Sequence, residues 1–224
     1  MSKKKDKPYF VQSAAVKQMY IDCYEILFDP IDIKEKSSIP PRHVAEYLKL
    51  LEQVQLQQGK YLDEVLKLKE KCPNSPEVDN LLGYVYAQTK QIQKANELIE
   101  LGYKKYPEYF FAKINYADLL LRRKKINEVN KVFPFDEIKD NFDQRIRYHV
   151  SEYRSFMLLK SRYYMELKNK EKAYYYFDKA LKADPANISV INLEKKLKSS
   201  FRFHKVFSLI RKIRKNFNKS STIS

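Results

Sequence analysis

The sequence predicts an all-α protein built as a solenoid of antiparallel helix pairs, and three observations carry that prediction. Helical stretches close on a proline at matching places, Cys72-Pro73, Tyr106-Pro107 and Asp184-Pro185, and the first two are 34 residues apart. Only 3 glycines occur among 224 residues, which leaves little material for flexible loops. The 18 Tyr and 13 Phe supply large side chains for packing between helices. A fixed period of this length marks a repeat array, in which each unit hides its apolar flank only by stacking on a neighbour. Such an array grows without a second core, so one continuous solenoid is expected.

Residues 1–41 are expected to hold a basic tail, a capping helix and a linker. Pro8 to Phe28 reads as one helix whose apolar face runs from Phe10 and Ala14 through Met19 and Ile21 to Tyr24 and Phe28, ending at Asp29-Pro30. Asp32 to Pro41 carries Lys, Glu, Ser and a Pro-Pro pair, the composition of an exposed linker. The helix would shield an end of the array that has no neighbour.

The repeats occupy 42–187. Numbering stations back from Pro107 at station 32 defines a unit at 76–109, with Leu82-Gly83 at stations 7 and 8, Tyr86 at 11, Ala95 at 20 and Gly102 at 27. The same rule applied to Pro73 places an abutting unit at 42–75, degenerate because Lys49 falls at station 8 and Tyr61 at station 20. A third unit, 110–143, has Tyr116-Ala117 at stations 7 and 8. Its second helix should end near Phe133, because Pro134 removes a backbone bond and clashes with the preceding turn. Phe135 to Gln144 shifts the frame by ten residues, and 135–153 is expected as an inserted loop. The last unit, 154–187, has Ser161 at station 8, Tyr164 at 11, Ala173 at 20, Phe177 at 24, Ala180 at 27 and Pro185 at 32. Small residues would let paired helices approach, aromatics would fill the space between neighbours, and proline would stop the second helix. Ile188 to Lys198 starts a further pair, Phe203 to Phe217 completes it as a terminal pair or cap over 188–217, and 218–224 is a frayed tail.

Units of 34 residues with these residue types at these stations resemble the tetratricopeptide repeat. The resemblance implies a right-handed superhelix whose first helices line a concave groove through stations 2, 5, 6, 9, 12 and 13. On this chain those stations bring Asn80, Tyr84, Asn115, Asp118, Arg122, Arg162 and Glu166 to the groove. Asparagine can bond both the N–H and the C=O of an extended backbone, Arg122 and Arg162 can fork onto a carboxylate, and Tyr84 offers contact area at low entropy cost. Without a ligand the same residues are ordinary solvated helix positions. The family's clamp for a ligand's terminal carboxylate is not expected, since Asn80, Tyr84, Asn115, Ser155 and Leu159 match it at one of five stations. What the resemblance implies is a non-catalytic protein–protein interaction scaffold, adaptor or chaperone-like, that binds another protein or peptide segment.

The formal net charge of +16 is uneven. Residues 188–224 hold ten Lys or Arg against Glu194 alone, and residues 1–7 hold four Lys against Asp6. The segment 203–217 places Phe203, Val206, Phe207, Ile210, Ile213 and Phe217 on one side and Lys205, Arg211, Lys212 and Lys215 on the other. It reads as a cap for the array or, alternatively, as an amphipathic helix that docks a membrane-peripheral protein on anionic lipid. Nucleic acid is not expected, because base stacking wants aromatics interleaved with cations rather than opposite them. Self-association through an uncapped face is a further outcome to test. Cys23 and Cys72 have neither metal spacing nor a disulfide framework and are expected to be buried small residues in a reducing compartment. No apolar run approaches the roughly 20 residues of a membrane span, and no signal-peptide pattern opens the chain, so a cytoplasmic protein is expected. His43, His149 and His204 are scattered and no phosphate-cradling glycine loop occurs, so neither an enzyme nor a metal or cofactor site is expected.

Overall fold

A computed structural model describes residues 18–28, 37–56, 59–135 and 146–201. Among these residues there are nine helices, α1 (Pro41–Leu56), α2 (Leu62–Lys71), α3 (Pro76–Gln88), α4 (Ile92–Lys105), α5 (Phe110–Arg122), α6 (Ile126–Val132), α7 (Val150–Glu166), α8 (Lys170–Ala183) and α9 (Ile188–Phe201). Three short strands accompany them, β1 (Gln18–Ile21), β2 (Tyr24–Leu27) and β3 (Arg147–His149). The protein is therefore mostly helical with one small sheet. The chain divides into two compact units, one of residues 30–128 and one of residues 1–29 with 129–224.

Two backbone devices set the helix boundaries. A residue before proline is pushed out of the helical region, and Cys72, Tyr106 and Asp184 end α2, α4 and α8 at φ/ψ of −129/62°, −130/62° and −152/75°. Each still donates its N–H four residues back, to Leu68, Gly102 and Ala180. The other ends close differently. Lys90, Lys124 and Lys168 adopt φ of 61°, 62° and 58°, and the next residue bonds back five positions, Gln91 to Tyr86, Lys125 to Leu120 and Asn169 to Tyr164, at 2.9 Å each. This is the Schellman closure, which satisfies carbonyls that the helix end would orphan. The left-handed conformation favours glycine, yet all three positions hold lysine, so composition alone hides the turn.

In the first pair the left-handed residue is Gly59, with φ 79°. It precedes Lys90 by 31 residues rather than 34. The same offset relates the buried Tyr47, Leu50 and Val54 of α1 to Val78, Leu81 and Val85 of α3. The 34-residue frame thus holds for α2 but is displaced by three residues in α1, and Lys49, exposed on the surface, does not occupy the small station. Gln88 bridges the displaced turn, accepting from the Gly59 N–H at 3.2 Å and donating to the Val54 carbonyl at 3.3 Å.

The core of the 30–128 unit gathers Ile39, Tyr47, Leu50, Val54, Val65, Leu68, Cys72, Val78, Leu81, Leu82 and Val85. From α1 to α5 each helix packs on the next, and α1 also meets α3, which meets α5. Fully burying one such side chain stabilises by about 1.5–3 kcal/mol.

The other unit is organised around α7, which buries residues on nearly all its faces against β2, β3, α8 and α9. Residues 18–27, expected as part of a capping helix, instead form a hairpin. Met19 and Ile21, then Tyr24 and Ile26, alternate onto one face, and Asp22 takes the turn at φ 52°. Period-2 alternation broken by a two-residue turn is a strand pattern. β2 pairs in parallel with β3, aligning Ile26 with Tyr148, and Glu25 meets Arg147 at 2.8 Å. The expected loop 135–153 accordingly contains a strand and the start of α7 at Val150. His149 caps that helix, its side chain accepting from the Ser151 N–H while Glu152 takes the His149 N–H. Lys179 of α8 is paired with Asp22 and lies 4.4 Å from the Tyr175 ring centre, which ties the hairpin turn to α8.

Three smaller expectations resolve unevenly. α6 ends at Val132, next to the expected Phe133. Cys72 is buried, but Cys23 lies exposed in the hairpin turn, against expectation. Close helix approach holds at Ser161, which donates to the Ala173 carbonyl at 2.7 Å. It does not require Gly102, where an added Cβ meets nothing within 4 Å.

Two substitutions test this account by thermal unfolding. Gly102→Ala should stabilise by about 0.5–1 kcal/mol through helix propensity. Lys168→Gly should stabilise by up to about 1 kcal/mol by relieving the left-handed side chain, raising Tm by about 2–4 °C. Loss of stability in both variants would refute the assigned turn and packing.

Candidate interaction surface

The N-terminus of α3 fixes the helix that carries two of the expected groove residues. Ser75 caps it, accepting the Val78 N–H at 3.4 Å, and Pro76 supplies the preset first-turn φ. Glu77 then gathers three donors on one carboxylate, the Ser38 N–H at 3.2 Å and the hydroxyls of Ser38 and Ser75 at 2.6 Å each. Burial raises the Glu77 pKa, but the serine hydroxyls and the Ser38 amide outweigh it, so the net shift is downward. Asp79, nearly buried, pairs with Lys69 of α2, and that ammonium also donates to the Pro73 carbonyl at 2.7 Å. These bonds hold α3 at a set rotation between α1 and α5.

That rotation brings Asn80 of α3 against Asn115 of α5. The Asn115 Nδ2 donates to the Asn80 Oδ1 at 2.7 Å, and both residues are half-buried. Tyr84, one turn after Asn80, is 43 % exposed. On α5, one turn after Asn115, Asp118 meets the Arg122 Nε at 3.4 Å, and the Arg122 Nη1 donates to the Asn96 Oδ1 of α4 at 3.2 Å. Tyr103 of α4 stacks on Tyr116 of α5 with ring centres 4.3 Å apart and planes 10° from parallel, holding α5 against its neighbour.

Five of the expected residues, Asn80, Tyr84, Asn115, Asp118 and Arg122, therefore share the adjoining helices α3 and α5. Arg162 and Glu166 lie on α7 in the other compact unit, both half-buried. Lys205, Arg211, Lys212 and Lys215 lie outside the described residues. The expectation for Arg122 changes in substance, because its guanidinium is engaged by Asp118 and Asn96 rather than held open for a ligand carboxylate. Asn96 escaped the sequence reading, since groove stations were assigned to first helices and it sits on a second. Gln88 was legible at station 13, but it serves the turn of the preceding pair.

Chemically, the surface offers carboxamides and a phenol ring on a rigid backing. Comparison with protein-family models, with curated proteins and with solved structures finds no match for this chain. No described helix is long and apolar enough to cross a membrane.

The Glu77 anchor carries a pH signature. Its folded pKa lies below the unfolded value of 4.5, so its contribution is complete above that value and is lost as pH falls through the folded one. Urea unfolding of the wild type should show this acid loss. Glu77→Gln should cost about 1 kcal/mol at neutral pH and flatten the dependence between about pH 5 and 3. An unaltered pH profile in the variant would exclude Glu77 as the anchor.

Proposed function

We propose that this protein is a non-catalytic interaction scaffold, adaptor or chaperone-like, that binds an extended segment of another protein across α3 and α5. The observation that carries the reading is the Asn80–Asn115 bond. It joins two helices of the same rank in successive pairs and leaves one carboxamide donor and one acceptor beside the exposed Tyr84. An extended backbone offers the complementary carbonyl and amide, and a preformed surface avoids ordering cost on the protein's side.

We further propose that the helix pairs are tetratricopeptide-like repeats. The recurrent pre-proline stop and the recurrent Schellman closure, both in phase with the 34-residue spacing, support this reading, as does the contact of α1 with α3 and of α3 with α5.

Affinity capture with the full chain, compared with the triple variant Asn80→Ala, Tyr84→Ala, Asn115→Ala, tests the surface. Recovered partner protein should fall at least about tenfold, as expected when hydrogen bonds and an aromatic contact at one site are removed together, while circular dichroism keeps its helical signal. Equal recovery by the folded variant would overturn the assignment of the surface.

A further inference from the structure

The charge arrangement on this surface identifies the kind of segment it fits. We infer that α3 and α5 select an extended, uncharged peptide segment, read through its backbone by Asn80 and Asn115, with an apolar or proline side chain against Tyr84. This rests on the reading of α3 and α5 as the docking surface and adds the chemistry of the ligand.

On a helix, residues three, four, seven and eight apart share a face. The face of α3 that carries Asn80 thus also presents Glu77, Tyr84 and Gln88, and the face of α5 that carries Asn115 presents Asp118 and Arg122. Every charged group among these is already engaged within the protein. Glu77 accepts from Ser38 and Ser75, and Asp118 and Arg122 face each other with Asn96 completing the guanidinium's contacts. Lys113 is two residues from Asn115, about 200° around the helix, and so belongs to a different face. Gln88 is spent on Val54 and Gly59.

What the surface has left is neutral. Among the described residues, the Asn80 Nδ2 and the Asn115 Oδ1 have no protein partner. A ligand amide bridging them meets a donor and an acceptor without bringing charge. A ligand carboxylate would have to displace Asp118 from Arg122 and would lie near Glu77. A ligand ammonium would compete with Arg122 for Asp118. Either exchange desolvates a charge without a spare partner to receive it. Backbone recognition by carboxamides also predicts weak dependence on ionic strength, because screening acts on charges.

The test pans a phage library of random peptides on the immobilised full chain and measures synthetic copies of the selected peptides by fluorescence anisotropy. Selected peptides should lack enrichment in Asp, Glu, Lys and Arg and should contain proline or an apolar residue. Their Kd should change by less than about twofold between about 50 and 500 mM NaCl. It should rise about tenfold or more in Asn80→Ala with Asn115→Ala, and stay within about twofold in Arg122→Gln. Asn115→Asp, which keeps the side-chain volume, serves if the alanine pair loses helical circular dichroism, with the same rise expected. Charged peptides whose binding weakens with salt yet still needs the asparagines would overturn the neutral-ligand inference and leave the scaffold reading standing. No selected peptide, or peptides indifferent to Asn80, Asn115 and Tyr84, would overturn both.

Discussion

Short helices cannot stand alone in water, so everything here depends on how each one is stopped and turned back onto its neighbour. The protein uses one stop at each end of a pair. Proline at 73, 107 and 185 forces the preceding residue out of the helix, and a left-handed lysine at 90, 124 and 168 closes the first helix. Because both devices satisfy the terminal backbone groups, the crossing can be tight without orphaned donors. The short turns then leave little choice about which faces meet. Ala95, Ala173 and Ser161 are buried at that meeting, where larger side chains would push the helices apart.

The half of this grammar that depends on proline was legible, because proline acts through its own ring and announces itself. The other half was not. A left-handed turn is expected to show glycine, and three lysines show nothing unless the hydrogen-bond pattern is seen. The three-residue displacement of α1 was hidden for the same reason. Its marker, Gly59, was visible, but the frame had been set from Pro73, which reports only on α2. The hairpin of β1 and β2 was misread because its buried residues Met19, Ile21, Tyr24 and Ile26 satisfy a loose helical spacing as well as the strand alternation. Asp22 and Cys23 between them were the deciding clue. β3 lay beyond sequence reasoning, since its pairing with β2 joins residues 122 apart, and only tertiary context selects three residues as a strand.

The surface shows a similar division. The family spacing placed Asn80 and Asn115 on comparable helices, and their hydrogen bond follows from that placement. The engagement of Arg122 did not follow, because it involves Asn96 on a helix assigned to the outside and Asp118 on its own helix. Position in a repeat tells which face a residue occupies; it does not tell whether its charge is spoken for. Surface ion pairs contribute little to stability, so the Asp118–Arg122 contact matters chiefly for what the surface presents to others.

The anchoring of α3 connects fold to surface. Glu77 and Asp79 precede Asn80 directly, and each is tied to a different part of the unit, Glu77 to the segment before α1 and Asp79 to α2. A helix clamped on both sides of one turn cannot roll, and a roll of 20° would carry a side chain several ångströms along the surface of a helix about 10 Å across. The short bond between Asn80 and Asn115 therefore reports a position held by the buried carboxylates beneath it rather than by the asparagines themselves. Carboxamides bound loosely would have to be ordered by each ligand, at a cost of about 0.5–1.5 kcal/mol per side chain. Here that ordering is built into folding, so the rigidity of the scaffold and the readiness of its surface have the same physical source.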